Sequence, residues 1–241
     1  MVTFDSGGRL GNRLFQYTIA RLFAEKNGLW LNTPYEWNDT ITASPHKHGE
    51  RYENDTITIK ETVHTPNILE MKIEKRHYHL NGYWQESHYY IPHREQILGF
   101  FNEKADVHLD TDNIIMHVRL DDYKKFGKGG TVLDPQYYID CLEREDFDEL
   151  FIITDAPEDD YFNVFNRYNP IYAKGSEKQD FWFITQFDRI ICGNSSFSWW
   201  AAFLSNARKV YMPECWIRNS YDIRHNLPFG ILMKAGFIDY V

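Results

Sequence analysis

The chain has 241 residues, of which 43% are hydrophobic and 17% aromatic, so it can build a substantial core and is not disordered throughout. Its 26 basic and 35 acidic side chains give a formal charge of −9, and no long basic stripe occurs, which disfavours nucleic acid as a partner. Three cysteines without a CxxC pair exclude a disulfide framework and a cysteine-based zinc site.

Location and membrane association follow from the same features. No apolar run is long enough to cross a bilayer, and the polar residues near the start are unlike a signal peptide. We therefore predict a soluble, cytoplasmic chain without a transmembrane segment. The sequence does not indicate an oligomeric state.

The first half of the sequence predicts an irregular α/β unit, which we place at residues 1–105. Its expected elements, in chain order, are a strand at 2–5, a helix from about Gly11 to Lys26, a strand at 29–31, a polar loop at 36–55, a half-exposed strand through Ile57, Ile59 and Val63, and a helix after Pro92.

The second half, at residues 106–241, alternates apolar runs with helical stretches. The expected strands are 114–118, 150–153, 190–192 and 210–212, with a shorter candidate at 171–172. Asp134 and Pro135 indicate a helix start. This alternation predicts a doubly wound α/β unit with a parallel sheet, in which ligands bind beyond the carboxyl ends of the strands.

Two candidate sites follow predicted strands directly. SGGRLGN (6–12) places glycines before a helix N-terminus, which suits an anion, although a tight turn explains the same residues. In IIMHVRLDDY (114–123), His117 and Arg119 share one face of a strand. An arginine there suits phosphate, and a structural Arg–Asp ion pair is the alternative. The next stretch, 124–130, is a cationic lid or a solvated turn.

Two more candidates lie further along the chain. Asp155 ends the strand in IITDAPEDD (152–160) and can accept hydrogen bonds from a base or ribose, or cap a helix after Pro157. ICGNSSFSWW (191–200) offers Ser195, Ser196 and Ser198 to a diphosphate, or only caps a core helix. That helix should bury Phe197, Trp200, Ala201 and Leu204.

Taken in order, these blocks resemble family 11 glycosyltransferases, the α-1,2-fucosyltransferases. The blocks that carry the resemblance are GGRLGNRLFQYTIA (7–20), GYWQESHYY (82–90), HVRLDDY (117–123), the strand ending at Asp155, and NSSFSWWAAFLS (194–205). They cover most of the chain. Two positions depart from the family pattern HVRRGDY: Leu120 replaces its second arginine, and Asp121 replaces its glycine.

The resemblance implies a GT-B-like fold, in which two Rossmann-type halves face each other across a cleft, with the acceptor on the first half and the donor on the second. It implies GDP-fucose as donor substrate, an acceptor glycan, inversion at the anomeric carbon, and no cofactor or metal. The donor-binding residues it implies are Gly8, Asn12, His117, Arg119, Asp155, Asn194, Ser195, Ser196, Phe197 and Ser198.

The catalytic candidates are Arg119, for the leaving diphosphate, and Asp122 or Asp121 as the base. Lys124, Lys125 or Lys128 are expected to compensate for Leu120. Alternatives that remain are a transferase for another GDP- or UDP-sugar and an inactive nucleotide-sugar or glycan binder. The HxH pairs, 46/48 and 77/79, offer too few ligands for a metal site.

Overall fold

The structure is a computed structural model that describes residues 1–33, 49–52, 55–62, 65–101, 110–125 and 132–213, and the backbone of 238–240. It divides into two compact units, Met1–Glu103 and Lys104–Val241. The predicted boundary, after residue 105, lies close to this division. We refer to them as unit 1 and unit 2 and describe each by itself.

Unit 1 is built on a three-stranded parallel sheet with the order β1-β3-β2. Its elements are β1 (Val2–Phe4), α1 (Leu10–Lys26), β2 (Ile57–Lys60), β3 (Tyr78–Asn81) and α2 (Arg94–Leu98), with 3-10 turns at Ser87–Tyr89 and Ile91–His93.

Alternation along the strands gives the unit 1 sheet two different faces. Phe4 and Tyr78 face α1, where their rings lie 6.4 Å from Tyr17 and 5.5 Å from Phe23. The intervening residues, such as Thr3, belong to the opposite face and are polar. One face of the sheet is therefore core, and the other carries hydrogen-bonding groups.

The predictions for unit 1 are confirmed in part. The first strand, the long helix and the helix after Pro92 are present, but 29–31 forms only isolated bridges to Glu50 and Val2. The central strand β3 was not predicted, because its sequence YHLN is short and half polar. Most of the predicted loop at 36–55, and Val63, lie outside the described residues.

Unit 2 contains a six-stranded, fully parallel sheet with the order β6-β5-β4-β7-β8-β9. Its strands are β4 (Ile114–Val118), β5 (Leu150–Thr154), β6 (Ile171–Tyr172), β7 (Arg189–Ile191), β8 (Lys209–Met212) and β9 (Ile238–Tyr240). Its helices are α3 (Asp121–Lys125), α4 (Pro135–Leu142), α5 (Glu177–Ile184) and α6 (Ser196–Leu204), with a 3-10 helix at Asp160–Tyr168.

Helices cover both faces of this sheet, as predicted for a doubly wound unit. Met116 packs with Tyr138 of α4 and Phe165 of the 3-10 helix in one buried cluster. On the other face, the ring of Phe151 lies 5.8 Å from that of Phe183 in α5. The parallel α/β architecture is compatible with a Rossmann-like fold.

Local capping explains where the helices of unit 2 begin. Asp134 accepts a hydrogen bond from the amide of Gln136 at 3.0 Å and precedes Pro135, which confirms the predicted start of α4. The 3-10 helix after Pro157 is capped by Asp159, whose carboxylate accepts from Tyr161. Asp155 is therefore not a helix cap.

Within the described ranges, every helix is too short or too polar to cross a lipid bilayer.

Candidate functional site

The order in which strands are added to the unit 2 sheet reverses at β4. After β4, the chain forms β5 and β6 on one side of it, and then β7, β8 and β9 on the other side. In open α/β sheets, a ligand crevice forms beyond the carboxyl ends of the strands at this reversal point. The residues that follow β5, β4 and β7 are three of the four predicted stretches, and the sheet order makes them neighbours.

Arg119, just after β4, is held by two carboxylates. Its Nε and one Nη donate to the two oxygens of Asp122 at 2.8 and 2.9 Å, and its Nε also lies 3.1 Å from Asp155. Asp155 accepts from the amides of Leu120 and Asp121 through its other oxygen. The ion-pair alternative of the sequence analysis is thus present.

The environment of this cluster shifts the pKa values of two of its groups. Burial alone would lower the pKa of Arg119, but the hydrogen bond to Asp122 and the charge of Asp155 outweigh it and raise the pKa. The hydrogen bond from Arg119 lowers the pKa of Asp122, and this effect outweighs burial, which would raise it. Among the described residues, Nη1 of Arg119 makes no hydrogen bond, which leaves it for a ligand oxygen.

The two predicted bases differ in their surroundings. A carboxylate with a lowered pKa is a weak proton acceptor, which disfavours Asp122. Asp121 is exposed and pairs with Lys125 at 2.6 Å. Their catalytic roles stay predictions.

The lysines that follow Leu120 already have carboxylate partners. Lys124 forms an ion pair with Asp159 at 2.5 Å, and Lys125 forms the ion pair with Asp121 described above. Lys128, with most of the predicted lid, lies outside the described residues.

Leu120, at the position of the second arginine in the pattern that the sequence resembles, turns its side chain into the core. It is fully buried in the same apolar cluster as Val118 and Tyr138. A guanidinium in this orientation would lose its water without gaining a charged partner there.

His117, on β4, carries an unsatisfied polar atom at the reversal point. Its side chain is 6% exposed, and its Nδ1 is buried without a hydrogen-bond partner among the described residues. Desolvation lowers its pKa to about 4, although the charge of Asp155 acts in the opposite direction, so the ring is neutral at neutral pH. Its ring lies 5.2 Å from that of Phe197.

Two tyrosines, one from α3 and one from α4, anchor the loop between β7 and α6. Tyr123 donates to the carbonyl of Asn194 at 2.8 Å, and Tyr137 donates to that of Cys192 at 2.7 Å. A Cβ on Gly193 would lie 2.8 Å from the carbonyl oxygen of His117 and from the hydroxyl of Tyr138. Only glycine lets this loop approach β4 so closely.

Two of the three serines serve the loop itself. The Ser195 hydroxyl accepts from the amide of Phe197 at 3.3 Å and caps α6. Ser198 is fully buried and lies within hydrogen-bond distance of the carbonyl oxygens of Gly193 and Ser195, at 3.2 and 3.1 Å. Ser196 and Phe197 are half-buried, and Asn194 is 2% exposed.

The predicted buried side of α6 needs correction. Phe197 is half-buried rather than buried, whereas Trp200, Ala201 and Leu204 are buried as expected. Trp199, Ala202 and Phe203 are also buried. The helix is apolar nearly all round because it packs inside unit 2, so it does not show the one-sided pattern of a surface helix.

Gly8 and Asn12 belong to unit 1, whereas the other predicted donor-binding residues belong to unit 2. Gly8 has a φ of +76°, and a Cβ there would lie 2.5 Å from the Asn12 amide nitrogen. The Asn12 side chain accepts from Gln85 at 2.8 Å. The tight-turn explanation is therefore sufficient for these contacts, and their donor role stays a prediction.

Sequence reasoning missed a polar cluster in unit 1. Asp5, His79 and Asn81 lie together beyond β1 and on β3. The signal was the period-two pattern of His77, His79 and Asn81, read only as a weak metal motif. In the described part of the chain, no group of three His, Cys, Asp or Glu side chains could hold a metal ion; His46 and His48 lie outside it.

Comparison with known proteins gives one informative similarity. The chain is 30% identical over 146 residues to an alpha-1,2-colitosyltransferase of Escherichia coli, an alignment that covers 52% of this chain and 50% of that protein. The chain thus spans about half the length of the curated relative it matches. No protein-family model matches the chain. No solved structure matches it either.

Proposed function

We propose that the chain is a glycosyltransferase that moves L-fucose from GDP-fucose to a hydroxyl, the 2-OH, of an acceptor glycan. The observation that carries the proposal is the cluster of polar groups at the reversal point of unit 2. The unpartnered nitrogen of His117 and the oriented guanidinium of Arg119 lie together at the carboxyl end of β4, next to Asp155 at the end of β5. The ordered sequence blocks and the similarity to a colitosyltransferase support the same class of reaction.

The proposed step is a direct displacement with inversion. The acceptor oxygen forms a bond to the anomeric carbon while the bond from that carbon to the β-phosphate oxygen breaks, and its electron pair leaves with GDP. The acceptor proton passes to a base or to water. The transition state resembles an oxocarbenium ion, as in other glycosyl chemistry.

Arg119 would stabilise the charge that builds on the leaving diphosphate. With two carboxylates around one guanidinium, the cluster has a net charge of −1 when all three groups are ionised (+1 − 2). Arg119 would therefore act through a short hydrogen bond from Nη1 rather than through a long-range field. Asp122 and Asp155 would orient it. We assign the nucleoside part to His117.

The nature of the sugar is the finer part of the proposal. Colitose is L-fucose without its 3-hydroxyl, so the similarity to a colitosyltransferase favours a GDP-colitose donor as the second candidate. Metal independence rests on the family resemblance.

A donor screen tests the proposal. In a thermal-shift assay with GDP, GDP-fucose, GDP-colitose, GDP-mannose and UDP-sugars, the ligands that contain guanosine should raise the melting temperature of the protein. NMR of the reaction product then identifies the linkage that is formed. Stabilisation by UDP-sugars alone would overturn the assignment. If the protein binds the nucleotide sugar but releases no GDP in the presence of acceptor sugars, it is an inactive binder. Addition of EDTA tests metal independence and should leave turnover unchanged.

The role of Arg119 needs variants that keep the fold. Arg119→Lys keeps the charge but loses the planar fork, and the pair Arg119→Gln with Asp122→Asn removes both charges together. Each should lower kcat by about 100-fold. Arg167→Ala, at an exposed ion pair with Glu143, is the matched control. Unchanged turnover in both Arg119 variants would refute the leaving-group role.

A further inference from the structure

A chain of side-chain hydrogen bonds crosses the polar face of the unit 1 sheet. Thr56 lies 2.8 Å from Nδ1 of His77, whose Nε2 lies 2.9 Å from the Thr3 hydroxyl. The Thr3 hydroxyl lies 3.1 Å from Nδ1 of His79, whose Nε2 lies 3.0 Å from the carboxylate of Asp5. The chain runs across all three strands.

The carboxylate assigns a direction to this chain. An ionised Asp5 can only accept, so His79 donates to it through Nε2 and, with a neutral ring, accepts from Thr3 through Nδ1. The same logic makes His77 donate to Thr3 and accept from Thr56. The Asn81 side chain donates to the second oxygen of Asp5. Asp5 is thus positioned by two side-chain donors, His79 and Asn81, while its side chain stays 44% exposed.

A buried amide holds the neighbouring loops together. Gln16, 3% exposed, accepts from the amide of Gly7 at 2.9 Å and donates to the carbonyl of Gly82 at 3.1 Å. Glu61, after β2, accepts from the amide of Tyr83 at 2.8 Å. The three strand ends of unit 1 therefore form one preorganised edge.

Tyr83 presents an aromatic ring at this edge. It is 47% exposed, the highest exposure among the large hydrophobic side chains of the described residues. Its hydroxyl lies 4.0 Å from the position that a Cβ of Gly7 would occupy, two residues beyond Asp5. The exposed ring of Tyr83 is therefore accessible to a ligand that packs against an aromatic face.

We propose that this edge of unit 1 is a subsite for a neutral saccharide, with Tyr83 as the stacking platform and Asp5 as the hydroxyl acceptor. An aromatic ring packs against the C–H face of a sugar, and a carboxylate with an amide beside it binds sugar hydroxyls. The carboxylate of Asp5 favours a neutral ligand over a diphosphate at this edge, because like charges repel. The inference deepens the proposed function, on which it rests, by placing acceptor recognition on these residues.

Saccharide binding can be measured without turnover. Saturation-transfer NMR of the chain with lactose and a panel of neutral disaccharides should show binding to the wild type. In Asp5→Asn and Tyr83→Ala the Kd should rise about tenfold or more. Glu70→Gln and Tyr172→Ala, exposed residues outside the edge, are the matched controls and should bind like the wild type.

Transfer assays add a second readout. For the same two variants, the acceptor KM should rise about tenfold, whereas the thermal shift with GDP should stay at its wild-type value. Circular dichroism confirms that each variant is folded. Wild-type Kd and KM values in both folded variants, or no binding of any disaccharide by the wild type, would overturn the subsite. Disaccharide binding that depends on Tyr83, without any response to a nucleotide sugar, would instead overturn the proposed transferase and leave the subsite standing.

Discussion

The two units place opposite kinds of cluster at the ends of their parallel strands. In unit 2, the cation of Arg119 is enclosed by two carboxylates, and its side chain is 14% exposed. In unit 1, the carboxylate of Asp5 meets only uncharged donors when His79 is neutral, and its side chain is 44% exposed. The first cluster pairs its cation with carboxylates in a mostly buried setting, whereas the second leaves a carboxylate half exposed to solvent.

The histidines repeat this difference. His117 of unit 2 is buried with an unpartnered nitrogen, and His79 of unit 1 is half-buried with both nitrogens hydrogen-bonded. Buried unpaired polar atoms are costly unless a ligand completes them, while exposed carboxylates cost little in the absence of one. The contrast teaches that a strand-end position alone does not define a ligand. A ligand site is indicated by polar atoms that the fold leaves without a hydrogen-bond partner.

The largest expected effect comes from adding charge to unit 2. Leu120→Arg, which introduces the arginine of the pattern that the sequence resembles, should destabilise the protein by about 5 kcal/mol, because it places a charge where a fully buried leucine packs in an apolar cluster. Urea denaturation measures the loss, with Leu120→Met as the volume-matched control. A stable Leu120→Arg protein with tighter GDP binding would show that the turn has room for a second cation.

Removing the central charge of each cluster tests the comparison directly. Arg119→Ala should cost about 3 kcal/mol, because it removes the guanidinium that is hydrogen-bonded and ion-paired to two mostly buried carboxylates. Asp5→Asn should cost under about 1 kcal/mol, because its carboxylate is half exposed. Both are measured by urea denaturation at pH 7, and equal losses would contradict the distinction between the two clusters.

Acid should destabilise unit 2 through His117. Its folded pKa of about 4 lies below the ordinary 6.5, so between these values the unfolded chain binds the proton more readily and stability falls as pH decreases. From pH 7 to pH 5 we expect a loss of about 2 kcal/mol.

Replacement of the His117 side chain tests whether this residue causes the loss of stability between pH 7 and pH 5. His117→Gln should flatten the stability profile between pH 7 and 5, whereas replacement of the exposed His88 should not. Asp122 is a separate contributor, because its lowered pKa gives stability that is lost only below its ordinary 3.8. If the dependence of stability on pH is the same in His117→Gln as in the wild type, His117 is not its cause.

The smallest effect concerns the loop serines. Ser195→Ala should cost about 1 kcal/mol through the lost helix cap. Ser196→Ala should leave stability within about 0.5 kcal/mol, since this half-buried residue is not the cap. Thermal unfolding measures both, and weaker GDP binding in Ser196→Ala alone would identify that serine as the ligand contact.

Sequence patterns predicted five of the six described strands of unit 2, because buried parallel strands are continuous apolar runs bounded by polar residues, but no strand was predicted at β9. They missed β3, whose YHLN alternates between a core face and a polar face and is only four residues long. The helix start at Asp134 was predictable, since a cap depends on residues two positions apart.

Long-range contacts account for what the site predictions left open. Asp155 could be read as a cap or as a ligand contact, and its actual partners, Leu120 and Asp121, lie more than thirty residues away. The inward orientation of Ser198 likewise depends on Gly193 and the tyrosines beneath the loop. The donor-binding roles remain predictions for the ligand experiments.

Gly193 determines how the crevice of unit 2 tolerates change. Its loop comes so close to β4 and α4 that a Cβ would lie 2.8 Å from the carbonyl oxygen of His117 and 2.8 Å from the side-chain hydroxyl of Tyr138. Any other residue at 193 would therefore push this loop away from the end of β4. A search for variants with altered ligand preference should keep glycine at this position and substitute the half-buried Ser196 or Phe197 instead.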